Sequence, residues 1–285
     1  MCSSDLIPYL EQKGVEWIEQ KNCVSCHRIG NMIWSLSKAH QQGFKVSEQL
    51  DHWIKWSVDA SLKKDKDGKP TGLSNKEGVA QLILGHEDVE LQKRAELIEL
   101  LKKGQEQDGC WNPGGQLPMQ KRSKLETKEV STMWIALSLK NYAPKVFENA
   151  SGHLKGNLGK STEWIALKLM ISHEIKDTNS TNHYLKLLLN SQNHDGGWGW
   201  LITEQSDALA TGMALYALEF SGLNIDRSPM NKARSFLFQT QNPDGSWSVP
   251  STKRKKKESI EETASYWGTA WAVLGLLHGL EMQNP

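Results

Sequence analysis

The residues Cys23-Val24-Ser25-Cys26-His27 carry the sharpest chemistry in this sequence. Two thiols three positions apart, with an imidazole directly after the second, form the Cys-x-x-Cys-His spacing of c-type haem attachment. In that chemistry each thiol adds across a porphyrin vinyl group, and the adjacent imidazole becomes the proximal iron ligand. With four cysteines in the chain, a chance match is rare. Cys23, Cys26 and His27 are therefore the candidate set for covalent haem c, with His27 as the proximal iron ligand. Three other readings use the same residues. A Cys23–Cys26 disulfide would be strained at so short a separation. A zinc site needs four ligands, which Cys110 and one more His could complete. A thioredoxin-like redox pair lacks its βαβ setting. For a second axial ligand, Met119 lies in Gly114-Gly115-Gln116-Leu117-Pro118-Met119, and Met is a common partner of His at such iron. An ordinary Met fills core gaps instead. His40, His52 and His86 compete, Met32 would fall on the same side as His27, and five-coordinate iron is also allowed.

The residues before the motif add to it. Gly14 and Trp17, ahead of Cys23, Cys26 and His27, resemble the first helix of cytochromes c, although no small cytochrome fold follows. The elements that must present the motif are an apolar helix through Val15 to Ile18 and a second helix from Met32 to His40. Trp34, Trp53 and Trp56 are candidate walls, because the macrocycle has to be shielded from water.

Self-comparison shows what that pair of helices belongs to. Gln-x3-Gly-x-Trp occurs three times: Gln105, Gly109, Trp111; Gln192, Gly196, Trp198; and Gln241, Gly245, Trp247. Asp108, Asp195 and Asp244 directly precede the glycines. Apolar helical runs come before each hit (Leu97 to Leu101, Tyr184 to Leu189, Ala233 to Phe238). Ala- and Leu-rich helices follow, near Ser131 to Leu139, Ala208 to Phe220 and Ala264 to Leu280. The pattern predicts a helix, a tight Asp-Gly turn in which Gly supplies positive φ, and a second helix packed back on the first. Trp closes the hairpin and Gln satisfies free backbone groups. Ser161 to Glu174 reads as an amphipathic helix of another pair. Gln20, Val24 and Cys26 keep the same spacing, which makes the haem motif the turn of a fourth repeat. The expectation is an all-α chain, an α/α toroid in the form of a partial barrel, with residues 7–285 as one domain and the motif hairpin at 7–62.

Three hits with one spacing resemble the QW repeats of squalene–hopene cyclases and the wider terpenoid cyclase and prenyltransferase toroids, over roughly residues 90 to 280. The resemblance implies an acid motif, Asp-x-Asp-Asp, ahead of a Thr. Its nearest counterpart is Asp207-Ala208-Leu209-Ala210 before Thr211, where Leu209 and Ala210 cannot donate a proton. Lys128 to Ser131 and Ser265 to Gly268 supply no acid pair either. Prenyltransferase zinc ligands and the complement-type thioester sequence have no counterpart. The chain is therefore expected not to cyclise, and no catalytic residue is assigned. An apolar ligand in the toroid cavity and an unidentified redox partner are the expected partners.

Composition sets the outer limits. Thirty-four Lys and Arg against 33 Asp and Glu in 285 residues give no reason to expect nucleic acid or an acidic membrane. No run reaches the roughly 18 apolar residues of a membrane span. Cys2 to Leu6 match what a sequencing adapter encodes, so residues 1–6 are read as an artefact and the natural start as lost. A haem c would place the chain in the periplasm or elsewhere outside the cytoplasm. Lys253 to Lys257 read as a solvated basic loop, Lys63 to Gly78 as a flexible connection, and His173, His183 and His194 as surface or capping residues.

Overall fold

The computed structural model describes residues 6–24, 28–86, 90–114, 120–154, 159–256 and 258–281. Among them twelve α-helices follow one another: α1 (Leu6–Lys21), α2 (Ile29–Gln41), α3 (Leu50–Leu62), α4 (Lys76–Gly85), α5 (Leu91–Lys103), α6 (Lys124–Leu139), α7 (Pro144–His153), α8 (Thr162–Glu174), α9 (Thr178–Asn190), α10 (Ala208–Phe220), α11 (Ser228–Thr240) and α12 (Glu262–Glu281). Short side-chain caps start several of them, with Ser123, Ser161, Asp177 and Asp207 each accepting the backbone N–H three residues on.

Two kinds of helix alternate, and their sequences say why. The odd-numbered helices bury one stripe: Thr181, Tyr184 and Leu188 in α9, or Met230, Ala233 and Leu237 in α11. A single stripe suits an outer layer with one face in water. The even-numbered helices are buried all round, continuously from Ala208 to Glu219 in α10 and from Thr162 to Ser172 in α8. Such helices must be inside. They form a ring in the order α2, α4, α6, α8, α10, α12, and α12 packs back on α2. The barrel expected to be partial is thus closed. Its closing pair, α2 and α12, was beyond the reach of a reading built on local hairpins.

α8 corrects the reading of Ser161 to Glu174 as amphipathic. Its polar residues are buried with partners: Glu163 meets Arg122 at 2.5 Å, and Lys168 donates to the Leu154 carbonyl. Lys63 to Gly78 is likewise no loose connection. Lys64 bridges Pro70, a 3-10 turn spans Thr71–Ser74, and Gly78 lies inside α4.

Candidate functional site

Each Gln–Gly–Trp turn is built alike. Gln105, Gln192 and Gln241 donate from Nε2 to the carbonyl of Gly109, Gly196 and Gly245, at 2.9, 2.8 and 3.1 Å. Those glycines hold φ of 74°, 91° and 84°, a region costly for other residues. Trp111, Trp198 and Trp247 are buried, and each indole N–H donates back to the preceding outer helix, on Leu101, Leu188 and Leu237. Their backbone N–H groups donate to Thr132, Thr211 and Thr269 on the following inner helix. One tryptophan thus ties both helices of its hairpin.

Between α1 and α2 the lock is different. Gln20 makes no such bond, and the equivalent carbonyl, on Val24, accepts from Asn75 of the next connection at 2.7 Å. Trp17 sits before the turn, and its indole donates forward to the Cys23 carbonyl at 3.0 Å. Gly14 has a packing role: a Cβ there would meet Met32 and Tyr266. Met32 is fully buried in the core, which removes it as an axial ligand.

Beside this turn a cleft of about 1200 Å³ opens, lined by Trp17, Cys23 and Trp56 among others. That exceeds the roughly 300–1,000 Å³ of common small-molecule pockets. Cys23 is a free, exposed cysteine, and the cleft walls push its thiol upward by desolvation. Trp56 is a wall, as expected, whereas Trp34 and Trp53 are buried in the core. Of the competing histidines, His52 lines this cleft. His40 and His86 sit at the far ends of α2 and α4, about 15 Å along the helix axis from the N-termini. Cys26, His27 and Met119 lie outside the described residues. Of the three residues of the haem-attachment motif only Cys23 is described, as a free thiol on this cleft. Cys110 stands on the α5–α6 turn, beside Asp108, Lys128 and Thr132. No cluster of three or more His, Cys, Asp or Glu among the described residues is arranged for a metal ion.

The interior of the ring is a second region of interest. Trp134 of α6 and Trp271 of α12 lie 5.2 Å apart, although α6 packs on α4 and α8 while α12 packs on α10 and α2. They meet across the ring. Trp34 joins both, at 5.9 and 5.5 Å, and Tyr216 joins Trp34 and Trp271. The space expected for an apolar ligand is filled at this level by the protein's own rings. Toward the helix N-termini, Trp200 and Trp267 are 5.4 Å apart and Arg122 lies over Trp200. Arg254 donates to the carbonyls of Gln120 and Arg122, and Lys253 pairs with Glu261, so this part of the basic run is anchored. Sequence reasoning missed both roles, whose partners lie more than 130 residues away for Arg254.

Asp207 stands where the resemblance puts the first acid. One carboxylate oxygen accepts from Ala210 N–H and the other from Trp200 N–H, both at 2.8 Å. Burial pushes its pKa up to about 7 against those bonds. It is a helix cap whose two oxygens are engaged.

A family model for the squalene-hopene cyclase N-terminal domain matches residues 149–241. Over 99 residues the chain is 30% identical to a squalene hopane cyclase of Aspergillus fumigatus, covering 34% of this chain and 13% of that protein. It is 37% identical to a drimenyl diphosphate synthase of Streptomyces showdoensis over 95 residues, covering 33% of this chain and 18% of the relative. The matched stretch therefore spans less than a fifth of either relative. Among solved structures, the type II terpene cyclase MstE from Scytonema superposes with a TM-score of 0.61 at 12% identity, over 89% of this chain and 88% of that one. A possible GH105 family member from Klebsiella pneumoniae gives 0.67 at 12% identity, over 99% and 94%. The chain has a terpenoid cyclase-like α/α toroid fold. No described helix is long and apolar enough to cross a membrane.

Proposed function

We propose that this chain uses a terpene cyclase-like toroid as a ligand-binding module and does not cyclise, its working site being the rim cleft beside Cys23. One observation carries this reading: Trp134 and Trp271 meet across the ring, while the large cleft lies outside it, against the α1–α2 turn. The acid chemistry points the same way. Leu209 and Ala210 occupy the acid positions, and both oxygens of Asp207 accept backbone N–H groups, so a proton on this group has no path to an alkene. Purified protein incubated with squalene should return it unchanged; hopene or any other cyclised product overturns the proposal.

A second reading is favoured by the position of Cys23. Its free thiol lines a cleft with the indoles of Trp17 and Trp56, which suits covalent haem c held by Cys23 and Cys26 with His27 as proximal ligand. A bound haem would supply one-electron transfer or redox sensing with a partner yet to be identified, and would place the chain outside the cytoplasm. Attachment adds each S–H across a vinyl C=C, so the step needs no oxidant. His52, on the same cleft, and Met119 are the candidate second axial ligands. Expression with a periplasmic signal and haem-maturation machinery should give red protein whose Soret absorption survives acid-acetone extraction. Colourless protein under those conditions rejects the haem and leaves the module.

A further inference from the structure

We infer that the rim cleft binds a planar ligand bearing two or more negative charges, an inference that rests on the binding-module reading. Its lining brings five cations, Arg28, Lys55, Lys63, Lys64 and Lys253, together with two carboxylates, Asp59 and Asp65. Both carboxylates are already engaged. Asp59 pairs with Lys93 at 2.6 Å. Asp65 accepts the backbone N–H groups of Asp67 and Lys69 at 2.9 Å, which holds the 63–75 connection in shape. Lys253 is matched by Glu261.

The side chains of Lys55, Lys63 and Lys64 have no ion pair or hydrogen bond among the described residues, and all three residues are exposed on the cleft. Arg28 is different. Its side chain is 4% exposed, held by Glu262 at 2.7 Å and set between the rings of Trp17 and Tyr266. Its Nε nevertheless has no hydrogen-bond partner. An unpaired cation trio beside a buried, incompletely bonded guanidinium is a field that selects anions. The aromatic side supplies shape. Trp17 has one face taken by Arg28, but the half-buried Trp56 has no aromatic or cationic partner among the described residues, so its ring is available for stacking. Lys63 and Lys64 follow directly on the C-terminus of α3, which carries Lys55 and Trp56, and all four line the cleft. The volume accommodates a ring system of macrocycle size.

Deuteroporphyrin IX is a suitable probe. It is planar with two carboxylates, and it carries neither metal nor vinyl groups, so neither iron ligation nor thioether formation can contribute. A tetracationic N-methylpyridyl porphyrin gives the same plane with opposite charge. Titrated against tryptophan fluorescence in low salt, the dianion should bind at least tenfold more tightly than the tetracation. Raising salt should weaken it as the Debye length shortens. Combining Lys55→Gln, Lys63→Gln and Lys64→Gln, all at exposed positions, should weaken the dianion tenfold or more, with far-UV circular dichroism unchanged. Trp56→Ala should weaken it several-fold. Equal binding of the two porphyrins, or a triple variant that binds like wild type, overturns the charge inference and leaves the cleft as a ligand site. Binding of neither porphyrin rejects the module reading as well.

Discussion

The α9–α10 turn and the α1–α2 turn occupy equivalent places on the ring but are fastened differently. In the first, the turn carbonyl and the tryptophan are fastened within the hairpin, Gln192 to Gly196 and Trp198 to Leu188 on one side and Thr211 on the other, while Gln192 also donates to the Pro229 carbonyl of the next hairpin. The buried indole fills the space over the turn. In the second, the matching carbonyl is taken by Asn75 from the neighbouring hairpin, and Trp17 stands beside the turn as a wall. A cleft opens beside this turn. One repeat thus shows how the fold is stabilised, and its altered copy shows how the same fold acquires a site.

The largest test of that contrast compares two tryptophans. Trp198→Ala should cost about 3–5 kcal/mol, as large-to-small changes do in packed cores. Trp17→Ala, which removes a half-buried ring, one hydrogen bond and the Arg28 contact, should cost roughly 1–2 kcal/mol. Urea unfolding of both variants reads the difference, and equal losses would mean that the α1–α2 turn is locked as the others are.

The aspartates sharpen the comparison next. Asp207 has a folded pKa of about 7, raised by burial, above the ordinary value of about 3.9. The stability this implies is fully present below about pH 4 and is lost as pH rises toward 7. Asp207→Asn cannot ionise, so wild type should lose up to roughly 4 kcal/mol relative to the variant between pH 4 and 7, at about 1.4 kcal/mol per pKa unit. Asp244, in a turn, is held low by hydrogen bonds from Ser246. Its contribution has the opposite sign: present above its unfolded pKa and lost as pH falls through its folded one. Thermal melts between pH 4 and 7 check the first and melts below about pH 4 the second, and a pH-independent difference for Asp207→Asn would show its carboxylate staying ionised in the fold.

These contrasts also mark how far the sequence could be read. The Gln–Asp-Gly–Trp turns were legible because their key bonds span 4, 10 or 13 to 22 residues within one hairpin. The closed ring and its filled centre were not, because Trp134 and Trp271 are brought together only by six helices in sequence. α8 was misread because its buried Glu163 and Lys168 look like surface residues until Arg122 and the Leu154 carbonyl are in place. The cationic side of the cleft escaped for a related reason. Lys63 and Lys64 sit in a segment whose composition resembles a solvated linker, and only folding sets it against α3. Cys23 stood out in the sequence as a thiol of the motif, whereas the replacement of Gln20 by Asn75 did not, since Asn75 follows it by 55 positions.

That replacement gives the smallest and most pointed test. If α1–α2 were an ordinary repeat, Gln20 would hold the Val24 carbonyl, as Gln192 holds that of Gly196. Among the described residues Gln20 is exposed without a partner, and Asn75 donates to Val24 at 2.7 Å. Gln20→Ala should therefore stay within about 0.5 kcal/mol of wild type, the range of surface changes that touch nothing. Asn75→Ala should cost about 1 kcal/mol, since it leaves a partly buried carbonyl unsatisfied. It should also raise amide hydrogen exchange on both sides of the cleft, because this one bond ties the α1–α2 turn to the start of α4. The reverse order of costs would restore the ordinary lock to the first hairpin, and the cleft would then need another origin.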